Sequence, residues 1–219
     1  MGDFKHKYQR WQTKLFRAPW FSKVFVETMG TLATPIYEWT LDLMAADIRD
    51  AKRLCDVGCG NALMSRYVGG AVRGRHFTLV DQSASQLEAG RRVIQAIAAH
   101  NAVTSYAQPV EALPLEDKSV DVLYTTGSIN LWTDPVLGLE QCKRVVRPGG
   151  VIWVFDQAPC VTPELALDAL FVKRVFGLGI PGYTMEEVLT FAELAGLPRE
   201  HNAYPNMSLY GLRWELSAD

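Results

Sequence analysis

Asp56, Gly58, Cys59 and Gly60 stand together in the run Asp56-Val57-Gly58-Cys59-Gly60-Asn61-Ala62, and Asp81 and Gln82 follow some twenty residues later. Two glycines at i and i+2 let a backbone turn tightly and let a ligand approach with no Cβ in the way. A carboxylate at Asp81 can accept two hydrogen bonds from a ribose diol, the group that nucleoside ligands share. Asp56, ahead of the loop, suits a cation such as an amino-acid ammonium better than a phosphate. The main competitor is a dinucleotide-binding loop, whose fingerprint G-x-G-x-x-G needs a third glycine for close helix packing. That position is Leu63 here, which leaves less room for a pyrophosphate at the helix N-terminus.

The elements that must hold these residues are short apolar strands alternating with amphipathic helices. Strands are expected at 52–57, 76–81, 103–107, 120–126 and 151–156, the last after the turn Arg147-Pro148-Gly149-Gly150. Helices are expected at 61–72, from Ser83 (with Gln86, a capping-box pattern) to about His100, and at 135–146. Such alternation implies a parallel sheet with helices on both faces. The loop after the first strand and Asp81 after the second then share the crevice beyond the strand ends, where ligands bind in open sheets. Thr184 and Glu187 open a late helix, and 200–204 with 209–215 read as a hairpin that adds an antiparallel strand. Thr34-Pro35 starts a helix through about Ile48.

The motif Leu54-Cys55-Asp56-Val57-Gly58-Cys59-Gly60, then Leu79-Val80-Asp81, resembles the first two motifs of class I S-adenosylmethionine-dependent methyltransferases. Val110-Glu111-Ala112-Leu113-Pro114-Leu115 resembles that family's adenine-side loop, and Ser119-Val120-Asp121-Val122-Leu123-Tyr124 its following strand. Cys142-Lys143-Arg144-Val145-Val146-Arg147-Pro148-Gly149-Gly150 resembles the turn before its fifth strand. The motifs run in order through residues 52–156 and most resemble the branch that includes ubiquinone and menaquinone biosynthesis methyltransferases.

The resemblance implies an α/β fold: a Rossmann-like, doubly wound, mostly parallel seven-stranded sheet with an antiparallel C-terminal hairpin strand. An N-terminal helical cap or lid, residues 1–50, would precede the cofactor-binding domain, residues 51–219. S-adenosylmethionine is the implied cofactor, held by Asp56, Gly58, Cys59, Gly60, Asp81, Gln82, Val110, Glu111, Thr126 and Gly127. The implied activity is methyl transfer, by in-line displacement, to a small and moderately apolar acceptor such as a secondary metabolite or a quinone-like ring. The alternative is a cofactor-binding regulator or partner subunit that does not methylate. Ser128, Asn130 and Trp132, past the end of strand four, and Tyr37, as a lid residue, are the expected acceptor contacts.

Three positions depart from the family pattern. Ala62 replaces a third glycine. Gln108-Pro109-Val110-Glu111 stands where Gly-Asp-Ala-Glu is common, and proline supplies neither the carboxylate nor an N–H for the adenine. Strand four ends in Thr126-Gly127-Ser128-Ile129-Asn130-Leu131-Trp132, without the histidine often found there. Of the four histidines, His76 and His100 fall at the wrong end of the sheet, and His6 and His201 sit in appended segments, so no catalytic base is assigned. Tyr183 and Tyr204 are further candidate contacts to the acceptor.

Composition sets wider bounds. With 219 residues, 48% hydrophobic and 21% charged, the chain is globular in character. Its net charge of −2 gives no reason to expect nucleic acid as a partner. Residues 1–23 carry six cations against Asp3 alone, a local +5. There Phe4, Tyr8, Trp11 and Leu15 share one helical face, and with Trp20, Phe21, Tyr37 and Trp39 they could cover a site or pack on the sheet edge. No apolar run approaches the ~20 residues of a membrane span. A charged N-terminus without an apolar stretch, and four cysteines, point to a reduced, cytoplasmic setting. Cys55 and Cys59 form a lone C-x3-C, which is poor evidence for a metal, and none is expected. Oligomeric state is not legible.

Overall fold

Strand residues Leu54, Cys55, Val57, Phe77, Leu79 and Val80 are buried on both faces of the sheet, which is why their segments read as near-continuous apolar runs. The computed structural model describes Ala18 and residues 34–157, 182–206 and 209–218. The expected aromatic stripe at Phe4, Tyr8, Trp11 and Leu15, and also Trp20 and Phe21, lie outside the described residues.

The chain enters through α1 (Thr34–Asp50) and alternates as β1 (Arg53–Val57), α2 (Leu63–Ala71), β2 (His76–Val80), α3 (Ala84–Ala89), α4 (Arg91–Ala98) and β3 (Ala102–Tyr106). It continues through β4 (Val120–Thr126), α5 (Pro135–Val145), β5 (Val146–Gln157), α6 (Met185–Leu194), β6 (Asn202–Asn206) and β7 (Leu209–Glu215). The seven strands lie in the order β3-β2-β1-β4-β5-β7-β6. β1 pairs in parallel with both β2 and β4, and β7 runs antiparallel between β5 and β6. The strand order reverses between β1 and β4, so the crevice beyond their C-termini is the fold's natural ligand site. The mostly parallel sheet with an antiparallel C-terminal hairpin strand is the one expected.

Two apolar clusters flank the sheet. One joins it to α5 and α6 through Leu139, Cys142, Val145, Val188 and Ala192. The other joins it to α1, α2 and α4 through Met44, Ile48, Met64, Val68 and Ile97. Each such fully buried aliphatic side chain contributes roughly 1.5–3 kcal/mol. α1 is also pinned by charge: Asp47 accepts from Trp153 Nε1 at 2.8 Å and from Arg213 Nε at 2.9 Å. That strut crosses to β5 and β7 and sets where the first turn of α1, with Tyr37, meets the sheet.

Boundaries differ from expectation in three places. The helix expected from Ser83 to His100 is two helices that meet at Gly90. A Cβ at Gly90 would lie 2.4 Å from the carbonyl oxygen of Asn61, so the glycine lets the helix pair approach the loop. β5 begins at Val146, and the glycine turn is part of it, with a register irregularity opposite Val120–Val122. β6 extends through Pro205 to Asn206, which an edge strand tolerates because one side needs no N–H donor. The Thr184–Glu187 capping box is present.

At the opposite end of the strands, Asp121 accepts from the backbone N–H groups of Lys52 and Arg53, each at 2.8 Å, and from Arg147 Nε at 2.7 Å. Burial alone would raise its carboxyl, but these donors outweigh burial and hold it below the usual range. His76 and His100 are also at this end, remote from the crevice. His201 precedes β6, the outermost strand beyond β7, and its ring lies 6.1 Å from that of Trp214.

Candidate functional site

The crevice is built by the turn that leaves β1. Gly58 and Cys59 donate N–H bonds to the carbonyl of Val80 at 2.7 and 3.1 Å, tying the loop to the end of β2. Gly58 (φ 67°) and Gly60 (φ 53°) adopt left-handed conformations that favour glycine. At Gly58 packing adds a second constraint: a Cβ would come within 2.2 Å of Ser128 Oγ. A Cβ at Gly60 would meet only Gln86 Oε1, at 3.9 Å, so the space above this residue is open. Ala62, the replaced third glycine, takes φ 61° although it carries a Cβ, a conformation that costs roughly 1–2 kcal/mol. Its methyl is fully buried in the α1–α2 cluster.

Asp81 is brought to this loop. Its Oδ2 accepts from Gly60 N–H and its Oδ1 from Ser83 N–H, at 2.8 and 2.7 Å. The carboxylate is thereby oriented and only half-buried. Gln82 beside it is half-buried.

Asp56 is 1% exposed. Among the described residues, Ser65 Oγ donates to its carboxylate, at 2.6 Å to Oδ2. Burial pushes the carboxyl up to about 7; the Ser65 bond opposes the rise and Asp81 adds to it. Tyr37 packs at a tilt against Tyr67 with ring centroids 5.4 Å apart, and burial followed by the Asp56 charge raises its phenol to about 12. It is therefore a neutral phenol near the buried acid.

The far wall comes from β4 and the turn after it. Thr126 is half-buried, with its Oγ1 enclosed and without a hydrogen-bond partner among the described residues. Gly127 (φ 63°) is exposed, and a Cβ there would meet nothing within 4 Å. Ser128 and Trp132, by contrast, are turned into the protein and 6% exposed. Trp132 Nε1 donates to Ser128 Oγ at 3.0 Å, and Thr125 Oγ1 lies 2.6 Å from the same atom. Asn130 is 2% exposed. Asp156, ending β5, accepts Gln157 N–H at 2.7 Å, and burial raises it to about 7 against the backbone donors of Gln157, Asn130 and Ile129.

The expected adenine-side residues are occupied elsewhere. Val110 is buried in the core and packs on Trp132 and Gly138. Glu111 Oε1 accepts from the N–H groups of Thr133 and Asp134 at 2.7 and 3.0 Å, which holds the turn into α5. Gln108 and Pro109 are exposed. Tyr183 is buried against Phe191, and Tyr204 packs on Trp153.

Three residues were missed from sequence. Ser65 and Tyr124 flank Asp56, and neither carries a signal beyond a polar side chain in an amphipathic helix or strand. Gly90 does carry one, as a lone glycine inside a helical pattern.

The donor set fits a zwitterionic nucleoside. Asn61 Nδ2 is buried at the loop without a hydrogen bond among the described residues, and Asp56 has no arginine or lysine partner there. An amide donor, a buried acid and a half-buried carboxylate match a carboxylate, an ammonium and a ribose diol in turn.

Comparison with known proteins agrees. Residues 55–154 match the family described as a methyltransferase domain. A chloroplastic 2-methyl-6-phytyl-1,4-hydroquinone methyltransferase of rice is 35% identical over 119 residues, covering 52% of this chain and 33% of that protein. A malonyl-[acyl-carrier protein] O-methyltransferase of Erwinia billingiae is 33% identical over 104 residues, covering 48% and 38% respectively. The matched region thus spans only 33% and 38% of these relatives' own lengths. A crystal structure of a putative S-adenosylmethionine-dependent methyltransferase from Methanococcus maripaludis superposes with a TM-score of 0.73 at 16% identity, over 93% of this chain and 95% of that one. This last likeness speaks for the fold. Motif order, strand order and matched region agree: residues 55–154 match a methyltransferase domain, and the fold is that of solved S-adenosylmethionine-dependent methyltransferases.

Proposed function

We propose that this chain transfers a methyl group from S-adenosylmethionine to a small, moderately apolar acceptor, of the secondary-metabolite or quinone-like kind. The observation that carries the reading is the pairing of two differently placed acids on one glycine loop, with Asp56 buried and Asp81 facing the crevice. S-adenosylmethionine, when bound, supplies an electrophilic methyl on a sulfonium that an acceptor atom displaces in line. The residues here have to bind, orient and exclude water. Asp81 takes the ribose diol, the backbone of Gly58, Cys59 and Gly60 makes room for the ligand, and Asp56 balances the ammonium. Thr126 and Gly127 line the end of β4, where the open space at Gly127 admits the acceptor. Tyr37 closes the α1 side as a neutral phenol, while Gln82 borders the adenine side and Val110 and Glu111 support the wall behind it. Ser128 and Trp132 act through the wall they build, and Asn130 completes it. No side chain is assigned as a general base. The rice relative's name supports a ring acceptor; the Erwinia relative's name supports a carboxyl on a carrier protein.

The test is transfer of a labelled methyl group from S-adenosylmethionine to panels of hydroquinones and phenols, with malonyl thioesters as the competing panel. Product on ring acceptors supports the reading, and product on thioesters alone overturns the acceptor class. A second reading, a cofactor-binding subunit that does not methylate, is favoured by Glu111 being engaged by Thr133 and Asp134. Tight cofactor binding with no transfer to any acceptor would support it.

A further inference from the structure

We propose that Ser65 and Tyr124 are positioning residues for Asp56, forming a directed hydrogen-bond chain that couples cofactor binding to loss of a proton. The inference rests on the cofactor reading of the loop given above. Ser65, on α2, is fully buried; its Oγ lies 2.6 Å from Asp56 Oδ2 and 2.7 Å from the hydroxyl of Tyr124. A serine hydroxyl has one proton, and an ionised carboxylate only accepts. Ser65 must therefore donate to Asp56, and Tyr124 must donate to Ser65. Tyr124 is also the register partner of Asp56 across β1 and β4, so the chain closes over β1, α2 and β4. It occupies Oδ2 and leaves Oδ1 for a ligand.

The groups facing Asp56 offer no positive charge among the described residues. Cys55 lies beside it on β1, Cys59 in the loop, Asp81 at the end of β2, Tyr37 on α1 and Tyr124 on β4. Burial favours the neutral acid, which keeps the carboxyl near 7, and the Ser65 bond favours the anion. A ligand ammonium supplies the absent counter-charge, so binding below that pH must expel the proton. Affinity then falls about tenfold per pH unit on the acid side. Ser65→Ala removes the direct donor and moves that acid limb up by about one pH unit. Tyr124→Phe keeps the ring and the serine but ends the chain, and moves it up by about half as much. A merely structural role would weaken binding equally at every pH.

The experiment is calorimetric titration of the full chain with S-adenosylhomocysteine from about pH 5.5 to 8.5, in two buffers of different ionisation heat. Wild type, Ser65→Ala, Tyr124→Phe and Asp56→Asn are compared, each checked for folding by thermal melting. The expected result is proton release on binding below pH ~7, acid limbs displaced in the order given, and no acid limb for Asp56→Asn. Superimposable limbs for wild type and folded Tyr124→Phe would overturn the chain even if Ser65→Ala does not fold. A folded wild type that binds at no pH would instead overturn the cofactor reading, and this inference with it.

Discussion

Gly90→Ala sets two physical effects against each other. Gly90 joins α3 to α4 at φ −78° and ψ −1°, a conformation alanine accepts without strain. Helix propensity therefore favours alanine, by up to about 1 kcal/mol. Packing opposes it: the new Cβ would stand 2.4 Å from Asn61 O, 2.7 Å from its carbonyl carbon and 2.8 Å from its Cα. These are backbone atoms, so either the loop or the helix pair must retreat by about 1 Å, and overpacking of this kind costs about 1–3 kcal/mol. The net expectation is a loss of up to about 2 kcal/mol in stability, with a cofactor affinity at least tenfold weaker because the displaced residue borders Gly60. Gly70→Ala is the matched control, since a Cβ on that helical glycine meets nothing within 4 Å. It should stabilise by about 0.5–1 kcal/mol and leave affinity alone. Urea unfolding gives the first quantity and calorimetric titration the second. If Gly90→Ala stabilised the protein as Gly70→Ala does, with unchanged affinity, the contact would not be what holds the loop.

Other outcomes follow from the same contacts. Asp56 ionises near 7 in the fold against an ordinary 3.8, so the ligand-free protein loses stability as pH rises from about 4 to 7. Asp56→Asn should then melt higher than wild type at pH 8, by the order of 1–4 kcal/mol, with the gap closing towards pH 4, and should bind the cofactor more weakly. Asp121→Asn should cost about 2–3 kcal/mol by weakening charge-assisted bonds, and should leave affinity intact because it acts at the opposite end of the strands. In wild type the Asp121 contribution is present above pH ~4 and lost as pH falls through its depressed range, which acid titration of both proteins would reveal. Ser128→Ala should cost about 1–3 kcal/mol by leaving the buried Trp132 Nε1 without its acceptor, measurable by chemical denaturation.

How far the sequence could be read depends on the range of the forces involved. The alternation of strands and helices, and the loop at Asp56–Gly60, rest on local periodicity and on glycine's conformational freedom, so they were legible. So was Asp81, because a parallel sheet brings adjacent strand ends together. Contacts set by packing between distant elements were not. Nothing in the linear order places Ser65 against Asp56, or turns Ser128 inward against Gly58. Gly90 read as an interior helix residue because its reason for being glycine lies across the core, at Asn61. Glu111 matched a family position by spacing, yet its carboxylate holds the turn at Thr133 and Asp134. The missing carboxylate at Pro109 was visible in the sequence, and Gln108 and Pro109 are both exposed.

The central claim is that the glycine loop and its two acids form a cofactor site, and a crystal structure with S-adenosylhomocysteine tests it most directly. The ribose hydroxyls should lie within hydrogen-bond distance of the Asp81 carboxylate, with the ammonium directed to Asp56 and the sulfur facing the open side of Gly127. A nucleoside bound away from Asp81, or no ligand in the crevice at saturating concentration, would contradict it.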